Sequence, residues 1–202
     1  MSNSDSNHHR DRDPTAEAHA ATTPSSDGPA EQIAVEPVVD EGIRLPVQQS
    51  ALVHAVRQAL IHRGFTAGEI GVRVSDDPGI HEINRQYLGH DYATDVISFT
   101  YDCHLPIIHG ELIVSLDTAQ RRSQEIGWPV AHELLLYVIH GSLHLTGMED
   151  THPPDRAEMR EAERQVLQRL GIEQSIRFAA DTVVGETLDN TEVEVTSDPD
   201  EQ

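Results

Sequence analysis

The thirteen residues from His140 to His152, HGSLHLTGMEDTH, hold three histidines and two carboxylates. His140 and His144 stand four positions apart. On a helix rising about 1.5 Å per residue at 3.6 residues per turn, they share one face, one turn apart. That spacing lets two imidazoles reach a single Zn²⁺ at about 2.0–2.1 Å. Gly147 supplies the left-handed residue that ends a helix and turns the chain back. A donor just beyond the turn, Asp150 or His152, could then close on the same ion. Three protein ligands with an open fourth position describe a catalytic zinc rather than a structural one. Cys103 is the sole cysteine, so a thiolate-rich structural site is excluded. A bare HxxxH pair arises readily by chance among 13 histidines; the turn glycine and the further donors are what point to metal. Zinc proteases place a glutamate directly after the first histidine as base. Here that residue is Gly141, and the similar string begun by His132 and Glu133 meets Leu136 where its second ligand would stand.

Positioning such a site requires helices and a sheet, and the hydrophobic spacing supplies both. Ile70, Val72 and Val74 alternate as a half-buried strand, and QIAVEP is a weaker first strand. DVISFTY and GELIVS are further β-rich runs. Leu52, Val56 and Leu60 recur every four residues between Pro46 and Arg63, with Gly64 where that helix stops. PGIHEINRQYLG places Ile80, Ile83 and Tyr87 on one helical face. A helix from about Asp117 to Ile126 ends at Gly127, and the next starts with Pro129 as its first residue and runs to His144 and Leu145. A last amphipathic helix turns Met159, Ala162, Val166 and Leu170 inward and stops at Gly171. Helices and strands do not alternate strictly. The expected fold is α+β, a single domain with the metal site at the end of a central helix.

The formal net charge of −21 at first argues against a nucleic-acid partner. Mapped along the chain, Gly42 to Arg177 carries 12 arginines and 18 acids, net −6, and the two ends carry net −15. Most of the acidity therefore belongs to the ends. No lysine is present, so every fixed positive charge is a planar guanidinium suited to phosphate or carboxylate. Residues 1–30 are polar and poor in large apolar side chains, which predicts an unfolded tail. Residues 178–202 read as an acidic tail, with TEVEV open to an edge strand. The domain proper is expected over residues 31–177. The N-terminal stretch lacks a secretory segment, LLLYVI is far too short to span a bilayer, and the lone cysteine fits a reducing compartment. A cytoplasmic location without membrane contact is expected.

HGSLHLTG followed by an acidic residue resembles the signature HGxLHLxGYDH of the YbeY family of bacterial endoribonucleases. Ile83 to Phe99, INRQYLGHDYATDVISF, is similar to that family's LNxxYRxxDxPTDVLSF, and HGELIVS, His109 to Ser115, to its GDIVIS strand. The resemblance runs from roughly Ile33 to Leu170. It implies a four-stranded sheet and one zinc ion per chain. It also implies hydrolysis of single-stranded RNA in late 16S rRNA 3′-end maturation and ribosome biogenesis, with ribosomal particles or ribosomal proteins as partners.

His140 and His144 match the family's first two zinc ligands. Counted from Gly147, its third histidine falls on Asp150, and a carboxylate oxygen also binds zinc, at about 2.0–2.2 Å. A two-residue shift of the loop would bring His152 in instead. Carboxylate for imidazole lowers the positive charge of the site, which is expected to move activity to higher pH. Leu88 stands where the family has an arginine, a residue able to hold phosphate bidentately. Either another arginine supplies that charge, Arg85 being nearest although its plainer reading is a solvated helix charge, or activity is weakened; Arg121 and Arg122 are separate candidates for RNA contact, or equally a solvated face. Ala93 replaces a proline, while Thr94 and Asp95 are retained, as a turn and strand entry or more.

Zinc held by His140, His144 and Asp150 would acidify a water and polarise a phosphoryl oxygen. No residue is assigned the attacking role, and water and the RNA 2′-hydroxyl both stay open. Two other readings compete. One is a non-catalytic ribosome assembly factor with a structural metal. The other is a metal-dependent hydrolase of another substrate.

Overall fold

Alternating aliphatic residues in strand β2 (Ala67–Ser75) bury Ile70, Val72 and Val74 on one side of a sheet. The residues between them, Glu69, Gly71 and Arg73, therefore take the other side. The computed structural model describes residues 32–173 and Arg177. The expected tails over 1–30 and 178–202, and the TEVEV strand, lie outside these residues. Strand β1 (Ile33–Val39) pairs parallel to β2, and β4 (Ile107–Ser115) pairs parallel to its other edge. β3 (Val96–His104) runs antiparallel to β4 at the sheet margin, giving the order β1-β2-β4-β3. The chain is α+β, with a four-stranded mixed sheet.

α1 (Gln49–His62) buries Leu52, Val56 and Leu60 as their spacing predicts, and Gly64 takes φ 88° just past its end. α3 (Leu116–Ile126) is capped by Ser115 Oγ, which accepts from the Thr118 N–H at 3.0 Å, and stops at Gly127. α4 (Val130–Leu145) is apolar nearly all round because α1, α3, α5 (Pro153–Arg169) and the sheet all pack on it. Pro129 stands one position outside α4 rather than within it, extended at ψ 133°, with its carbonyl accepting from the N–H groups of His132 and Glu133.

One periodicity breaks. α2 (Asp77–Ile83) buries Ile80, but the next five residues, Asn84–Leu88, form a π-helical turn. The wider i→i+5 bonding rotates later side chains off the 3.6-residue register. Tyr87, expected inward with Ile80, is 64% exposed, and Asn84 is buried in its stead, donating through Nδ2 to the Tyr92 carbonyl at 2.8 Å. Among the described residues, no helix is long and apolar enough to cross a membrane.

Candidate metal centre

α4 ends where its last histidines come free of the core. Leu143 and Leu145 are fully buried, whereas His140 and His144, on the intervening face, keep 16% and 25% of their side-chain surface. The Thr146 and Gly147 N–H groups bond back to Leu143 and His144, and Gly147 takes φ 85°. This left-handed step turns the chain so that Asp150 returns over the helix end. His140, His144 and Asp150 each place one donor atom within 4.8 Å of the others.

The contacts decide which ring nitrogens face that point. His140 Nδ1 lies 2.7 Å from Glu163 Oε1, and His144 Nδ1 lies 2.8 Å from the Met148 carbonyl. A carboxylate and a carbonyl only accept, so Nδ1 carries the proton in both rings. With both rings neutral, as metal binding requires, each Nε2 holds a lone pair, and the two Nε2 atoms face each other at 3.0 Å. Asp150 adds Oδ2 at 3.6 Å from His140 Nε2 and Oδ1 at 3.9 Å from His144 Nε2. Lone pairs aimed at one another repel unless a proton or a metal ion sits between them. Ligands placed tetrahedrally at about 2.0–2.1 Å from zinc stand roughly 3.3 Å apart, close to these separations. The donor set fits a divalent metal ion.

Glu163 is the residue that sequence reasoning missed. It is fully buried, its Oε1 accepts from His140, and its Oε2 accepts from Arg160 Nη1 at 3.0 Å. Its signal was available: Glu163 is four residues after Met159 and three before Val166, inside the apolar stripe of α5. A carboxylate there must have a partner. Burial pushes the His140 imidazole down, but the Glu163 hydrogen bond and charge, with Asp95 and Asp150 behind them, outweigh it and hold His140 above the usual histidine value.

The other sequence-derived candidates fall elsewhere. His152 is exposed, in extended backbone just before α5, and is not in the cluster. Leu88 is exposed. Arg85 pairs with Glu82, Arg121 with Asp77 and Arg122 with Glu125. Thr94 and Asp95 lead into β3 through a bend, without a turn: Asp95 Oδ1 accepts from Thr94 Oγ1 at 3.0 Å and from the Val96 N–H at 2.9 Å. Gly141, the position a zinc protease gives to its glutamate, faces the sheet. A Cβ there would stand 2.7 Å from Val96 Cγ2, so no side chain reaches the metal point from it.

Residues 40–171 match the family described as Endoribonuclease YbeY. The chain is 44% identical over 131 residues to an endoribonuclease YbeY of Rhodopirellula baltica, covering 64% of this chain and 68% of that protein. It is 38% identical over 128 residues to one of Bacteroides thetaiotaomicron, covering 63% and 93% of the two chains. A third, of Phocaeicola vulgatus, is 36% identical over 133 residues, covering 65% and 96%.

Proposed function

We propose that this chain, which belongs to the YbeY endoribonuclease family, is a zinc-dependent enzyme that cuts single-stranded RNA in late 16S rRNA 3′-end maturation. His140, His144 and Asp150 hold the ion. The observation that carries this reading is the convergence of two Nε2 lone pairs and one carboxylate on a single point at the end of α4. When bound there, zinc supplies Lewis acidity toward a phosphoryl oxygen and lowers the pKa of water.

The chain's own residues do the positioning. Glu163 and the Met148 carbonyl fix the tautomer and tilt of the two imidazoles. Gly147 returns Asp150 to the site, and no fourth His, Cys, Asp or Glu joins the three among the described residues, which leaves a position for substrate. Asp150 brings a negative charge where the family signature has a neutral imidazole, which makes the site a weaker electrophile and places its working range at higher pH.

The test is cleavage of a single-stranded RNA by the zinc-loaded chain, compared with His144→Ala. Cutting by the parent and none by the variant supports the reading. If both bind ribosomal particles and neither cuts, the chain is an assembly factor with a structural metal.

A further inference from the structure

We propose that Arg156 is the cation that grips the RNA backbone beside the metal centre, a role that rests on the endoribonuclease reading above. Leu88 is a hydrocarbon where the family pattern has an arginine, so any side-chain cation that holds a phosphodiester here comes from another position in this chain.

Most of the guanidinium groups are committed. Arg73, Arg85, Arg121, Arg122, Arg160 and Arg164 each sit in an ion pair with an aspartate or glutamate. A phosphate would have to displace that carboxylate. Arg57 donates to the Ile33 carbonyl at 3.0 Å, on the first strand. Arg63 does border the metal loop, in a groove of about 240 Å³ with Gly147 and Met148. Glu149, Asp155 and Glu158 line the same groove, and three carboxylates repel an anionic strand.

Arg156 has Asp155 and Glu158 close by along the helix too, but it is paired with no carboxylate and is tied to the loop that carries Asp150. Like Arg44 and Arg169 it is exposed and joins no ion pair among the described residues, and of the three it is Arg156 that bonds to the residue after Asp150. Among the described residues its side chain makes one hydrogen bond, Nη2 donating to the Thr151 carbonyl at 3.2 Å. Thr151 directly follows Asp150, so standard chain geometry puts the guanidinium within roughly a dozen ångströms of the Asp150 carboxylate. Its backbone N–H is already bonded to the His152 carbonyl at 2.9 Å, which fixes Arg156 in the first turn of α5. One of five guanidinium N–H donors is used. The rest form a planar fork that matches two phosphate oxygens. A structural tie of the loop is the competing role, and it makes a different demand: it acts on Asp150, hence on metal affinity, and not on the response to salt.

The experiment measures binding of a mixed-sequence single-stranded RNA oligonucleotide to the full chain across a range of salt concentrations. The variants are Arg156→Ala, Arg156→Lys and, as a control removing one paired charge from the same helix, Arg164→Ala. Each lost phosphate contact on a single strand makes the log–log salt slope shallower by about 0.7. Arg156→Ala is expected to show that change, with KM for cleavage raised several-fold, kcat nearly kept and zinc affinity unchanged. Arg156→Lys restores the slope, and Arg164→Ala leaves it at the parent value. An unchanged slope in Arg156→Ala, or a loss of zinc affinity with the slope intact, overturns the proposal. A parent that binds the RNA without cutting it overturns the endoribonuclease reading while the slope still decides for or against Arg156; a parent that binds no RNA overturns both.

Discussion

Glu163 on α5 accepts from His140 Nδ1 on α4 at 2.7 Å, and this bond between two helices settles which nitrogen of His140 faces the metal point. Removing such an orienting partner commonly costs 10–100-fold in metal affinity, by the general behaviour of outer-shell carboxylates. Glu163→Gln keeps an acceptor of similar shape and loses the charge. Zinc affinity measured by chelator competition is expected to fall by about that factor, with the fold retained by circular dichroism. Unchanged affinity would show that Glu163 only satisfies a buried ring.

Metal should stabilise the folded chain, because the three donors are brought together only by folding. At a free zinc concentration about 100 times Kd, the gain is about 2.7 kcal/mol, or several degrees in the melting temperature of a domain this size. His144→Ala and Asp150→Ala are expected to lose that shift. His152→Ala, whose side chain lies outside the cluster, keeps it. The reverse pattern for Asp150 and His152 would mean that the loop closes on the metal two residues later.

The elements of this fold were legible wherever local pattern and packing agree. Val72 alternates with neighbours on the opposite face of the sheet, and Leu52 recurs with the period of α1, so strand and helix follow from the sequence alone. Gly147 and the HxxxH spacing pointed to the candidate site for the same reason: both are short-range. What failed was long-range or register-breaking. Tyr87 left its expected face because a π-helical turn inserts after Ile83, and no residue type announces such a turn. Glu163 reaches His140 across 23 residues, and only its placement in an apolar stripe hinted at a buried partner. The ion pairs of Arg85, Arg121 and Arg122 likewise appear only when helices are placed in space or neighbouring rotamers are fixed.

Acid should weaken the chain in part through Asp40, which follows β1. Arg73 donates to it from Nε at 2.8 Å and from Nη2 at 3.0 Å, and Ser75 Oγ donates at 2.7 Å. The Arg73 hydrogen bonds hold its carboxyl below the usual aspartate value, outweighing partial burial. A pKa depressed by folding gives stability that is present above the unfolded value, about 3.9, and disappears as pH falls through the folded value. Both partners are partly exposed, so the contribution is about 1 kcal/mol or less. Asp40→Asn is expected to be less stable than the parent to urea at pH 7, with the difference closing near pH 2. A gap that persists in acid would point to lost packing instead of lost charge.

Gly141 makes the sharpest demand of any position in α4. In an exposed helix interior, alanine for glycine stabilises by about 1 kcal/mol. Here the added Cβ would lie 2.7 Å from Val96 Cγ2, 3.0 Å from Leu112 Cδ2 and 3.1 Å from Ser98 Oγ. Val96 is β-branched and stiff at χ1, and Leu112 is fully buried, so neither can yield cheaply. The helix must back away from the sheet, stretching the bond from Ser98 Oγ to the Gly141 carbonyl at 3.1 Å and carrying the adjacent His140 with it. Overpacking of this kind costs about 1–3 kcal/mol, which exceeds the gain from helix propensity or cancels it. Gly141→Ala is therefore expected to melt no higher than the parent and up to several degrees lower, and to bind zinc more weakly because His140 shifts against Glu163. Thermal denaturation with and without zinc checks both effects. A variant that melts higher and binds zinc normally would mean that α4 does not approach β3 as closely as these distances require.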